Sequence, residues 1–236
     1  MRRLEECSSR CSPTEGLSLS RRERETVSDR RGCDHRGCGG NMFDDLLKRV
    51  GADESVRKID VGSLPDLFES AGGLTIGGGL LRVHTIESAT AAAELVQAAY
   101  PEYAGRVSCF AFDWAGRQFS VDLRDTRDIV QMFEIGTGQV LEIPADLEGF
   151  FDEEIVQYTD AALGESFFSA WLGAGGGEPG FHECVGYRRP LFLGGVDDVS
   201  NLELTDLSVY WTVFGQLRVK TRGLPPGTRV GRVGIE

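Results

Sequence analysis

Two pairs of extended runs, adjacent in the chain and each joined by a short glycine-containing turn, set the narrowest limits on the fold. In "RVSCFAFDWAGRQFSVDL" two apolar runs flank a turn at Asp113 to Gly116. Phe119, Val121 and Leu123 there alternate with Gln118, Ser120 and Asp122, the period of a half-buried strand. In "DIVQMFEIGTGQVLEIP" the turn Gly136-Thr137-Gly138 separates two more β-rich runs. Strands that succeed one another through tight turns pair antiparallel, whereas parallel strands need long crossovers. The expected fold class is therefore α+β, an antiparallel sheet with packed helices, arranged as two contiguous subdomains behind a disordered N-terminal tail.

Helices are signalled on both sides of these hairpins. Phe43, Leu46, Leu47 and Val50 share one helical face ending at Gly51. In "SLPDLFESAGG" Ser63 can cap, Pro65 fits the first turn and two glycines stop the helix. "LTIGGGLLRVH" reads as two short strands around Gly77, Gly78 and Gly79, and "SATAAAELVQAAYP" as a helix from a Ser88 cap to Pro101. A longer helix is expected from an Asp152 cap, with Val156, Leu163, Phe167, Ala170 and Trp171 on one face. "GAGGGEPG", Gly173 to Gly180, is a flexible joint or a loop. A last helix runs from Leu207 to Arg222 and stops at Gly223.

The 236 residues, 41% apolar and 26% charged, suit one soluble unit with a sizeable core. The first 41 differ, holding nine of the 25 bases, all arginine, and seven of the 37 acids. Residues 42–236 are left with 16 bases against 30 acids. Such a body repels nucleic acid and anionic membranes and attracts basic partners. No stretch reaches the about 18 apolar residues of a membrane span, and the N-terminus lacks a signal-peptide core, so a cytoplasmic location is expected. Residues 1–41 read as disordered or upstream of a true start at Met42. Cys7, Cys11, Cys33 and Cys38, with His35, could in principle hold zinc, but no strand or helix pattern fixes the two pairs, and no metal is expected. Cys109 and Cys184 read as buried thiols.

The other candidate chemistries fail on spacing. "IGGGLL" leads into another β-like run, and "FLGGVDD" puts Asp197 and Asp198 where phosphate charge would sit, so neither is a nucleotide cradle. Asp197, Asp198, Asn201 and Glu203 miss the register of a calcium loop. The expected role of Gly194 and Gly195 is to turn a buried strand sharply, with Asp197 to Asn201 as a polar turn. His84 and His182 lack a nucleophile context; in "FHEC" Cys184 reads as a core thiol and His182 as a surface imidazole. Tyr210, Trp211 and Phe214 form an apolar stripe read as core. An alternative class, a small-ligand or enzymatic domain, would place a site between the two parts near Trp114, Arg117 and Asp122.

"ECVGYRRPLFLGGVDDVSNLELTDLSVYWTVFGQL", Glu183 to Leu217, resembles the C-terminal domain of bacterial immunity proteins that protect against nuclease toxins of type VI secretion systems. The preceding part, with "FAFDWAGRQFSVD", "MFEIGTGQVLEIP" and the Phe167 to Trp171 aromatics, resembles the GAD-like domain found ahead of it. The resemblance divides the chain into 1–41, a GAD-like domain over 42–172 and an immunity-type domain over 181–236. It rests on Gly186, Tyr187, Pro190, Leu191, Phe192, Leu193, Gly194, Gly195, Asp198, Asn201, Leu202, Glu203, Asp206, Tyr210, Trp211, Gly215 and Gln216, mainly fold-determining positions. It implies a non-catalytic protein without cofactor that binds and silences a cognate toxin, a basic nuclease. The expected contact residues are Asp152, Glu153, Glu154, Asp197, Asp198, Glu203 and Asp206, since a nuclease needs a basic groove that an acidic inhibitor finds quickly. Self-association is left open.

Overall fold

The chain enters the described part of the computed structural model, residues 63–124 and 129–225 with 228, 230 and 231, through a helix that its ends specify. The Ser63 hydroxyl accepts the Asp66 amide at 3.3 Å and caps α1 (Leu64–Ala71); Pro65 sits in the first turn and Gly72 closes it. The helix expected over Phe43 to Val50 and the cysteines before Met42 lie outside the described residues. Strands β1 (Thr75–Ile76) and β2 (Leu81–Val83) come next, as expected around Gly77–Gly79. Helix α2 (Ile86–Ala99) begins slightly earlier than the sequence suggested. Thr85 is its cap and Ser88 completes a reciprocal capping box, its hydroxyl accepting the Thr85 amide at 2.9 Å.

The two hairpins form as expected: β3 (Val107–Asp113) with β4 (Gln118–Asp122), and β5 (Val130–Glu134) with β6 (Gln139–Ile143). The sheet runs β1-β2-β3-β4-β5-β6, and every neighbouring pair is antiparallel. Phe119 and its cross-strand partner Met132 belong to one core cluster, with Phe150, Phe151, Ile155, Leu163 and Phe168. Cys109 and Phe133 belong to a second, with Val96, Ala99, Tyr100, Trp211 and Phe214. Both faces are therefore covered, and the half-buried reading of β4 needs correction. Gln118, Ser120 and Asp122 are buried along with Phe119, because helices pack over the face that alternation assigned to solvent. Two of them meet partners inside: Gln118 Oε1 lies 2.8 Å from His84 Nε2, and Asp122 pairs with Arg106.

The helical run after β6 also departs from expectation. Asp146, not Asp152, caps its start, accepting the Gly149 amide at 2.7 Å. It then proceeds as α3 (Leu147–Gly149), a π turn over Phe150–Glu154, α4 (Ile155–Gln157), α5 (Thr159–Leu163) and α6 (Glu165–Gly173). Tyr158 leaves helical geometry, and Gly164 turns left-handed at φ 66°. The π turn brings two consecutive aromatics, Phe150 and Phe151, wholly into the core.

"GAGGG" is a loop wrapped around Trp171 rather than a joint. The Ala174, Gly175 and Gly176 amides donate to the carbonyls of Ala170, Leu172 and Trp171, and Trp171 Nε1 donates to the Gly177 carbonyl at 2.9 Å. A Cβ on Gly176 would lie 2.1 Å from the indole, so the contact needs glycine. The next residues lie against the Gly77–Gly79 turn, whose three φ angles are all positive. A Cβ on Gly78 would meet the Glu178 carboxylate at 2.6 Å, and one on Gly79 the Pro179 carbonyl at 2.7 Å. The Gly77–Gly79 turn is a seat for the end of the second glycine tract.

Strands β7 (Glu183–Tyr187) and β8 (Leu202–Asp206) form a separate antiparallel pair, and helix α7 (Leu207–Thr221) continues directly from β8. The Val185 amide donates to the Trp114 carbonyl at 2.7 Å, and buried Trp211 Nε1 to the Gly116 carbonyl at 2.7 Å. Helix α7 lies on α2, where a Cβ on Gly215 would come within 3.0 Å of Ala99 Cβ. Burying residues of the Tyr210 and Trp211 size supplies roughly 3 kcal/mol each or more, which makes this aromatic stripe core as expected.

Candidate functional site

The segment Tyr187 to Trp211 is built around one buried amide side chain. Asn201 Nδ2 donates to the carbonyls of Arg189 and Val196, both at 2.9 Å, while Oδ1 accepts the Arg189 amide at 3.1 Å. Its main chain adds two bonds, its carbonyl accepting the Arg188 amide and its amide donating to Asp198. Leu191–Leu193 is a half-buried 3₁₀ turn, not the end of a buried strand, because Pro190 cannot continue a ladder and its carbonyl instead accepts the Leu193 and Gly195 amides. Gly194 is left-handed at φ 79°, and a Cβ on Gly195 would lie 2.1 Å from the Arg189 carbonyl. The polar turn at Asp197 to Asn201 forms as the sequence suggested.

The remaining motif residues join this turn to the hairpins. The Leu191 amide donates to the Gly136 carbonyl at 2.9 Å, and Phe192 lies against Gly138. Tyr187 packs its ring on Gly136 and donates its hydroxyl to Asp197 Oδ1 at 2.7 Å. Burial, then this bond to a carboxylate, raises the Tyr187 phenol. Gly186 admits the Tyr210 ring, which a Cβ would meet at 2.6 Å. Gln216 is half-buried on α7.

The seven acids fall on two separate stretches. Asp152, Glu153 and Glu154 lie on the π turn, Glu153 exposed and the other two half-buried. Asp197, Asp198, Glu203 and Asp206 are exposed along the turn, strand and helix cap after Gly195. Several are held in place. Asp198 accepts the Ser200 amide at 2.9 Å, and its bonds to Ser200 lower its carboxyl. Asp206 accepts Ser208 Oγ and the Val209 amide at the start of α7; these bonds lower it too. Glu203 lies 3.5 Å from Arg188, both side chains exposed.

The region around Trp114, Arg117 and Asp122 is filled. Trp114 Nε1 donates to the Leu163 carbonyl, its ring packs on Phe167 and Phe168, and Asp122 pairs with Arg106 at the far end of β4. Arg117 Nε meets Asp113 at 2.5 Å, and burial pushes the Asp113 carboxyl up against the pull of that arginine. Cys109 and Cys184 are buried thiols, raised by burial, and His182 is exposed. Among the described residues no three His, Cys, Asp or Glu side chains are grouped to hold a metal ion, and no helix is long and apolar enough to cross a membrane.

Two buried polar residues lie outside the expected site, Arg82, which the sequence did not single out, and His84, which it weighed only as a nucleophile's partner. Arg82 is wholly buried: Nη1 donates to the carbonyls of Gly180 and Glu183, and Nη2 to that of Asp113. Burial lowers its guanidinium to about 10. His84 is buried between Ser88 and Gln118 and stacks on Phe112 at 4.5 Å. Nothing in "LLRVH" marks either side chain as buried, because the partners that hold them, Gln118, Gly180 and Glu183, lie far along the chain.

Set beside known proteins, residues 147–218 match the family model described as type VI secretion system immunity protein Tdi1, C-terminal. That stretch takes in the helical run, the β7–β8 pair and most of α7. The crystal structure of Atu4351 from Agrobacterium tumefaciens is 16% identical and covers 74% of this chain and 88% of that one, with a TM-score of 0.48. No curated protein sequence matches the chain. The matched family is one of immunity proteins, which supports a general immunity role.

Proposed function

We propose that this protein binds and neutralises a cognate secreted toxin of the nuclease type, and that its acidic side chains make the contact. The observation that carries this reading is the match of residues 147–218 to the immunity family. Charge adds to it: the chain has a net charge of −12, and a nuclease must present cations to its phosphate-rich substrate. Opposite charge accelerates encounter, which matters to an inhibitor that must act before the toxin does. The proposed contact residues are Asp152, Glu153, Glu154, Asp197, Asp198, Glu203 and Asp206. On this reading a GAD-like part over 42–172 precedes an immunity-type part over 181–236, the family match spans their join, and the protein acts in the cytoplasm. It needs no cofactor, membrane or nucleic acid.

The test is stoichiometric. The product of the adjacent gene, assayed for nucleic-acid cleavage, loses its activity at a one-to-one ratio with this protein. Unaltered cleavage at excess inhibitor rejects the pairing.

A further inference from the structure

A groove of about 1030 Å³ lies between the β5–β6 turn, the Arg189–Gly194 turn, the C-terminal half of α7 and the described residues beyond it, Leu224, Pro225, Thr228, Val230 and Gly231. Its charge is opposite to that of the chain. Among the described residues that line it are Arg189, Arg218 and Arg222 but no acid, in a sequence with 37 acids and 25 bases. The family-motif residues Phe192 and Leu193, with Leu217 from α7, supply an apolar wall. We propose that this groove docks a short acidic peptide segment of a partner protein, one or two carboxylates beside a bulky apolar side chain.

The three arginines divide the work. Arg218 is framework: Nε donates to the Gly138 carbonyl at 3.0 Å, Nη1 to that of Ala99 at 2.7 Å and Nη2 to Glu102 at 3.1 Å, with the guanidinium 3.7 Å from the Tyr100 ring centre. Arg222 is half-exposed and gives only Nη1, to Glu102 at 2.8 Å. Arg189 is exposed, and its Nε donates to the Leu193 carbonyl at 2.7 Å. That bond fixes the guanidinium on its own turn and leaves both terminal nitrogens for a carboxylate, which the planar fork takes in bidentate fashion. The apolar wall adds the anchor that a charge pair at the surface lacks.

A nucleic acid fits poorly. It brings a charge about every 1.7 Å of duplex toward a chain of net charge −12, and two available guanidinium groups neutralise little of that. A peptide with few carboxylates escapes most of the repulsion. The proposal concerns a cationic groove, so it stands apart from the acidic contact of the immunity reading.

The test needs no toxin. A random heptapeptide phage library is panned against the immobilised full chain, and the enriched peptides are titrated by fluorescence anisotropy. Enriched sequences carry Asp or Glu next to Leu, Ile or Phe, and Arg189→Gln weakens them about tenfold or more, as for a lost charged hydrogen bond. Arg222→Gln weakens them less, since its Nη1 already serves Glu102. Both variants melt with the parent protein, because neither side chain is buried. Absence of enrichment, selection of basic or purely apolar peptides, or affinity that both variants leave unchanged overturns the proposal.

Discussion

The Arg82 guanidinium donates to the main-chain carbonyl of Glu183 at 2.5 Å, tying strand β2 to strand β7 across 101 positions of sequence. The same side chain serves Gly180 and Asp113, so removing it takes a charged donor from three carbonyls at once, although Gly180 keeps the Glu183 amide and Asp113 the Gly116 amide. Arg82→Met should cost about 3 kcal/mol or more, and Arg82→Lys an intermediate amount, since one ammonium cannot reproduce the fork. Urea midpoints measure the loss, and hydrogen exchange should show β7 opening before β3 to β5. Equal midpoints for all three proteins contradict this role.

His84 sets an acid limit on stability. Burial lowers its imidazole from 6.5 to about 4, so the native state holds it neutral. Between those values the unfolded chain takes up a proton that the native chain refuses. The contribution is thus whole above pH 6.5, falls as pH drops, and levels off near pH 4, a loss on the order of 3 kcal/mol. His84→Gln removes this component, and the difference between parent and variant isolates it from the carboxylates. Parallel stability curves through that window refute it.

Asn201 holds its turn by three side-chain bonds. Asn201→Ala should lower stability by about 2 to 3 kcal/mol, and Asn201→Asp by at least as much, because it faces two carbonyls with an oxygen. Calorimetric melting temperatures show it.

Gly186 is required by Tyr210 rather than by its own backbone angle. Gly186→Ala drives a Cβ to 2.6 Å from the ring and should cost about 1 to 3 kcal/mol. In a Tyr210→Leu background the same change should cost clearly less, a coupling that a double-mutant cycle reads directly. Additive effects would falsify the contact as the cause.

Neutralising Asp197 and Asp198 tests the charge side of the proposed function. Asn at either position keeps the acceptor that Tyr187 or Ser200 uses, so the turn survives. The double variant should associate with the toxin more slowly, most of all at low salt. A rate indifferent to ionic strength counts against steering.

Elements that depend on neighbours in the chain were legible from the residues alone. Ser63 and Pro65 start α1, Gly116 and Gly138 close the two hairpins, and α7 starts at Leu207, because caps and tight turns are satisfied within a few residues. Whatever depends on distant segments had to wait for the packed molecule. Packing buried Gln118, Ser120 and Asp122 beneath helices that alternation could not place, and it turned "GAGGG" into a wrap for Trp171. It also brought Arg189, Arg218 and Arg222 to one groove. A period of two or 3.6 says which residues share a face, but what covers that face is set by contacts between segments as much as 120 residues apart.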